Sequence, residues 1–163
     1  MRKTYEKYPK GIRVAGIVLS HDQKRIVLLE RLKEGRHFWV FPGGGFEDTD
    51  TNEEAALLRE LHEETNAKVH VIKQSYTLDV AGHSKQLFYI CEYISGELQV
   101  IGEEAEKHNE NDQYYVRWYD VDELNTLSVF PLEVRDWIVD DLRSGQWSTH
   151  KLLLESIQAA RVK

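Results

Sequence analysis

A single interruption constrains this chain more than any other feature. Residues 41 to 67 read FPGGGFEDTDTNEEAALLRELHEETNA, and they break an otherwise strand-rich run. Three consecutive glycines lead directly into one helical stretch. Any fold must therefore set that helix among strands, immediately behind a segment that lacks side chains.

The strands around it are legible from composition and punctuation. IRVAGIVLS and KRIVLLER are β-rich runs separated by HDQ, so they read as a hairpin. HFWVF is a third short strand, ended by Pro42 and the glycines. The helix is expected over 51–65, with Thr51 and Glu54 as a capping box and Leu57, Leu58 and Leu61 as its apolar stripe. KVHVIKQSYTLDV and KQLFYICEYIS are paired strand candidates joined through AGHS, and ELQVI is a further short one. Residues 102–113 form an acidic loop. YYVRWYDV then reads as a strand and DELNTL as a short helix. From Pro131 the pattern turns helical, with Val134, Trp137, Ile138 and Leu142 on one face. HKLLLESIQAARV is expected to be a final helix. These elements predict a mixed sheet with helices packed on it, class α+β or α/β, in one domain over residues 1–163.

Length and composition agree. At 163 residues, 41% apolar and 30% charged, the chain can bury an ordinary core. The net charge of -7 argues against a surface that grips long nucleic acid. It leaves room for a small phosphorylated ligand, because bound cations reverse the sign of a local site. The one cysteine, Cys91, cannot form an internal disulfide and reads as a small buried strand residue. VAGIVLS is too short to span a membrane and no small-residue cleavage site follows it, so the expected location is the cytoplasm.

Glu60, Glu63 and Glu64 carry the strongest chemical signal. At about 100° per residue, Glu64 lies about 40° to one side of Glu60 and Glu63 about 60° to the other. The three carboxylates share one face with Ala56 and Ala67, and the leucine stripe is displaced by roughly 120°. The leucines can then bury while the acids stay accessible. Like charges at such spacing cost about 0.2–0.5 kcal/mol per pair. Arg59 can offset part of this through Glu63, and a hard divalent cation would offset more. A solvated acidic helix face is the plain alternative. The preceding glycines favour a site, since glycine admits backbone turns and lets carbonyls face a ligand.

With those residues in view, the stretch resembles the Nudix hydrolase signature. RELHEET, Arg59 to Thr65, matches the core of that signature, Gly45 stands at the required distance upstream, and FWVFPGGG resembles the family's strand and turn. The signature's first glutamate falls on Thr51, its late glycine on Asn66 and its last aliphatic on Ala67. Asn66 suits a left-handed position. Counting from Gly44 instead puts Asp50 at the acidic position, so either Asp50 takes that place or its support is absent.

The resemblance implies an αβα sandwich and a Mg²⁺- or Mn²⁺-dependent pyrophosphohydrolase that cleaves a diphosphate linkage in a small nucleotide or nucleoside diphosphate derivative. It implies metal binding by Glu60, Glu63 and Glu64, with backbone oxygens of Gly44 and Gly45. Glu63 or Glu64 would also orient the attacking water, and Arg59 would position a glutamate. The general base is open among the box and Glu103, Glu104, Glu106, Glu110 and Asp112. Arg31, Lys33 and Arg36 are candidate phosphate contacts, or surface charges. Phe38 and Trp39 are candidate stacking partners for a base, or core. Trp118 and Trp137 read as core, and His37, His62 and His83 lack a partner that would make a metal site. A catalytically inactive nucleotide-binding module on the same fold is the competing reading, and a diphosphate isomerase a weaker one. No membrane contact is expected. Oligomeric state is not legible in the sequence, with a homodimer the assembly entertained.

Overall fold

The computed structural model describes residues 11–80, 84–101, 105 and 107–154. Its strands are β1 (Ile12–Leu19), β2 (Arg25–Lys33), β3 (Arg36–Val40), β4 (Gly43–Gly45), β5 (Lys68–Val80), β6 (Ser84–Ser95), β7 (Asp112–Asp120), β8 (Val129–Phe130) and β9 (His150–Leu154). Helix α1 spans Glu53–Thr65 and helix α2 spans Leu132–Ser144, with a 3-10 turn at Val121–Thr126.

The sheet is mixed, in the order β8-β3-β2-β1-β6-β5-β9, with β4 paired to β1 and β7 to β2. The expected β1–β2 hairpin forms, yet the two strands are in register only at Leu19 and Ile26. Beyond that point they splay. β1 turns to β6 and β4, whereas β2 turns to β7 and β3. The sheet therefore divides into two wings joined near that turn.

Period-2 alternation gives each face its own core. Val14 and Val18 of β1, with Leu87, Tyr89 and Cys91 of β6, face α1 and pack with Leu57 and Leu61. Ala15, Ile17, Phe88 and Ile90 point the other way and pack with Val134 and Ile138 of α2. Helices on both faces of a mixed sheet make the αβα sandwich that the resemblance implies. Trp118 and Trp137 lie partly buried against the two cores, as expected.

Several local expectations are corrected. Helix α1 is capped by Asn52, whose side chain accepts from Ala55 N at 2.8 Å, and Thr51 is exposed. Leu58 is 42% exposed, because the buried sector of α1 is set by Ala56, Leu57, Glu60 and Leu61. The stretch ELQVI is no strand. Its Gln99 and Ile101 N–H groups bond the carbonyls of Thr65 and Glu63, which the end of α1 leaves open. Residues 150–154 are a strand rather than a helix. They pair parallel with β5, with Leu152 packed inward and Leu153 exposed. The rest of that expected helix, 155–163, lies outside the described residues.

The glycine triplet is also corrected. None of Gly43, Gly44 or Gly45 has a positive φ. They form β4, antiparallel to Arg13–Ala15 of β1. Close approach, not a turn, is what requires glycine here. A Cβ at Gly43 would meet Val14 O and lie 2.6 Å from Ala15 Cα.

Candidate active site

The site grows from the contact between β4 and α1. A Cβ at Gly44 would lie 2.5 Å from each carboxylate oxygen of Glu60. Only glycine lets this carboxylate sit against the strand. Glu60 is accordingly 1% exposed, which corrects the expectation that all three acids of the helix stay accessible. Its neighbour Glu64 accepts from Gly43 N at 2.6 Å. Glu63 is the most open of the acids around Arg59, with 27% of its side chain exposed.

Arg59 organises the acids. Its Nε and Nη2 donate to the two oxygens of Asp50 at 3.0 and 2.9 Å. Nη2 also donates to Gly45 O at 2.9 Å. Nη1 lies 2.7 Å from Glu63 Oε1, 3.1 Å from Glu60 Oε1 and 3.4 Å from Glu47 Oε1. Carboxylates thus outnumber the guanidinium four to one. Burial opposes the charge on Arg59, but hydrogen bonds to Asp50 and Glu63 and the nearby Glu60 hold its pKa above the ordinary value.

Of Thr51 and Asp50, the two positions counted for the upstream acid, Asp50 is the one in contact with Arg59. It is buried, and it makes a two-point contact with Arg59. Its N–H bonds Glu47 O and its Oδ2 accepts from Glu47 N at 2.7 Å, closing a tight turn. Sequence reasoning missed Glu47 altogether. Burial pushes its carboxyl above the usual range; Arg59 opposes this, while Glu63, Asp50 and Glu60 add to it. The only sequence signal was its place in GFED, between the glycines and the helix.

Asn66 adopts the left-handed conformation expected of it, φ 61° and ψ 14°, and its N–H bonds His62 O. This ends α1 one residue after the acidic cluster, and Ala67 then enters the core on the α1 face.

The candidate substrate contacts do not form one surface. Arg31 donates to Asp112 Oδ1 at 2.7 Å, and its guanidinium lies over the rings of Tyr114 and Phe38. Arg36 flanks the same Phe38 ring at 5.1 Å. Phe38 is buried and meets Phe130 edge-on, so it serves packing. Trp39 points to the opposite face, where it donates to Tyr119 Oη at 3.0 Å. Lys33 is exposed at the end of β2. His37 lies 2.7 Å from Glu30, which also bonds Arg117, and this pair is part of no metal-binding group among the described residues. Glu110 is exposed, Asp112 is held by Arg31, and Glu103, Glu104, Glu106 and His83 lie outside the described residues. Beside the end of α1, Leu98, Val100, His108, Tyr114 and Val116 line a cavity of about 360 Å³.

The donor set suits a hard divalent cation: every side-chain donor is a carboxylate oxygen, and negative charge is in excess. Among the described residues, however, no three Asp, Glu, His or Cys side chains are gathered into a finished cation-binding group. The guanidinium of Arg59 stands among the acids instead.

An αβα sandwich that clamps an acidic helix onto a glycine strand through one arginine has the architecture of a Nudix-type hydrolase. The family model described as NUDIX domain matches residues 10–138, and the chain belongs to that family. The enzyme class expected from the sequence, a Nudix-type pyrophosphohydrolase, agrees with this membership.

Solved structures agree on the fold. A NUDIX hydrolase from Nitrosomonas europaea superposes with a TM-score of 0.69 at 16% identity, covering 90% of this chain and 80% of that one. An ADP-ribose pyrophosphatase from Streptococcus suis gives a TM-score of 0.60 at 19% identity, covering 88% and 99%. A MutT structure from work on Aliivibrio salmonicida and Vibrio cholerae gives 0.57 at 26% identity, covering 83% and 97%. No curated protein matches the chain. No helix among the described residues is long and apolar enough to cross a membrane.

Proposed function

We propose that this protein hydrolyses a diphosphate linkage in a small nucleotide or nucleoside diphosphate derivative with the help of Mg²⁺ or Mn²⁺. The observation that carries the reading is the excess of carboxylates around Arg59, packed against a strand without side chains. Phosphoryl chemistry is mostly positioning and charge neutralisation. A divalent ion bound here would neutralise phosphate oxygens and make a coordinated water more acidic.

The chain's own residues divide the work. Glu60, Glu63 and Glu64 are the carboxylate ligands, with backbone oxygen from Gly44 or Gly45. Glu63 or Glu64 also aims the water. Arg59 positions these acids and does not touch substrate. Arg31 and Arg36 are the cations proposed to meet the substrate. The solved relatives named ADP-ribose pyrophosphatase and MutT support a nucleotide with a diphosphate as the class to test first.

Thr51 at the signature's acidic position, with the shifted spacing around it, motivates the binding-module alternative. The contact of Asp50 with Arg59 favours hydrolysis over it. A panel of nucleoside triphosphates, nucleotide sugars and dinucleoside polyphosphates, incubated with Mg²⁺ and with Mn²⁺, tests the proposal. Turnover that falls by orders of magnitude in Glu63→Gln or Glu64→Gln is the expected result. Tight binding without product would favour the module, and full activity in either variant would refute the assignment.

A further inference from the structure

We propose that the cavity of about 360 Å³ beside the end of α1 holds the base of a nucleoside, and that the outer edge of β7 reads this base through the backbone N–H and C=O of Val116. The proposal rests on the nucleotide-substrate reading above and adds to it the group that recognises the base.

The register of β7 leaves that edge open. Among the described strands β7 pairs with β2 alone. In an antiparallel ladder, alternate residues turn both backbone groups toward the partner, and the residues between them turn both away. Tyr114 N–H is directed at His108 Nδ1, 3.5 Å away, and so away from β2. Val116 follows two residues on, opposite Leu29 as Tyr114 is opposite Arg31, so its N–H and C=O face the same way. No backbone bond among the described residues uses either group. Val116 is half-buried and lines the cavity. One residue thus offers a donor and an acceptor side by side at a cavity wall. Nucleobases present adjacent donors and acceptors on their pairing edges.

The walls suit a flat ring. Leu98, Val100 and Val116 give aliphatic surface, and the His108 and Tyr114 rings meet there with centroids 5.8 Å apart. Aromatic surface stacks on any base, because every base has a π face. The volume lies near the lower end of the range of about 300–1,000 Å³ for small-molecule sites, which fits a nucleoside better than a longer ligand. An added peptide strand needs a longer edge. The next outward-facing residue, Trp118, is already packed edge-on against Tyr93 at 5.1 Å.

Position joins the cavity to the acids. Its wall at 98–100 is tied to the last turn of α1: Gln99 N–H bonds Thr65 O at 3.1 Å, and Ile101 N–H bonds Glu63 O at 2.9 Å. The same turn carries Glu63 and Glu64. A base held at Val116 has these carboxylates on the neighbouring element, where groups attached to its sugar can meet them.

Nucleosides test this without metal or turnover. The full chain, labelled with ¹⁵N, is titrated with adenosine, guanosine, cytidine, uridine and ribose, and amide shifts are read together with affinity. At least one nucleoside should move the amides of Val116 and Val100, and ribose should bind at least about 10-fold more weakly. Val100→Trp, which fills the cavity, should weaken that nucleoside by about 10-fold or more. Ile94→Trp, at a side chain 53% exposed on β6, should change its affinity by less than about threefold. If Val100→Trp fails to fold, the wild-type shifts decide. Nucleosides that leave the Val116 amide unmoved, or that bind no more tightly than ribose, would overturn the inference. Hydrolysis of a nucleotide in that case would leave the proposed function standing, whereas base-dependent binding at Val116 without hydrolysis would support the inference and overturn the hydrolase reading.

Discussion

The Glu60 carboxylate occupies the space in which a side chain at Gly44 would begin. A Cβ there would come within 2.5 Å of both carboxylate oxygens. Glu60 is the movable partner, since it is a side chain and β4 is held by β1. Gly44→Ala should therefore displace Glu60, lowering Mn²⁺ affinity and turnover about 10–100-fold. Thermal unfolding should shift little. Calorimetry alongside a metal titration separates the two effects.

Gly43→Ala should behave differently. Its Cβ would meet the β1 backbone, which cannot rotate away. The strand must shift, at a cost of about 1–3 kcal/mol. Urea unfolding should register this loss directly. An unchanged midpoint would contradict the close packing of β4 on β1.

How much of this was legible in the sequence follows from range. The left-handed Asn66, the alternation within the strands and the placing of Glu60, Glu63 and Glu64 along one side of α1 follow from local spacing, whereas the exposure of those acids does not. Glu47 and the burial of Glu60 depend on β4 meeting α1 across many residues, which no local pattern encodes. The glycines suggested a turn because glycine commonly supplies one; here their lack of side chains matters more than their freedom. The strand at 150–154 was mistaken for a helix because its leucines satisfy either period over so short a run. Phe38 and Trp39 looked like one stacking surface until alternation placed them on opposite faces.

The second core contains a polar contact open to test. Tyr76 is fully buried and its hydroxyl donates to Asp141 Oδ2 at 2.6 Å, which also accepts from Ser148 N. Tyr76→Phe leaves a buried carboxylate short of a donor. It should cost about 1–3 kcal/mol of stability. Turnover should be unaffected, because Asp141 lies on α2 while the candidate site lies on α1. Denaturant titration paired with initial rates checks both halves.

Alkaline pH should destabilise the fold. Burial pushes the Cys91 thiol up to about 12, and burial with the nearby Asp141 and Glu53 carboxylates raises Tyr76 and Tyr89 respectively. Unfolding releases these groups to their ordinary values. The unfolded chain then binds fewer protons once pH exceeds the unfolded thiol value, so stability falls as pH rises from there. Cys91 alone contributes a slope of at most about 1.4 kcal/mol per pH unit. Urea midpoints measured from neutral pH upward should decline, and a thiol reagent should label Cys91 at neutral pH only after unfolding.

The measurement closest to the central claim is anomalous diffraction from crystals soaked in Mn²⁺. A manganese peak bounded by Glu60, Glu63 and Glu64 is the result expected. Carboxylates that keep their contacts to Arg59, with no peak beside them at saturating manganese, would contradict it.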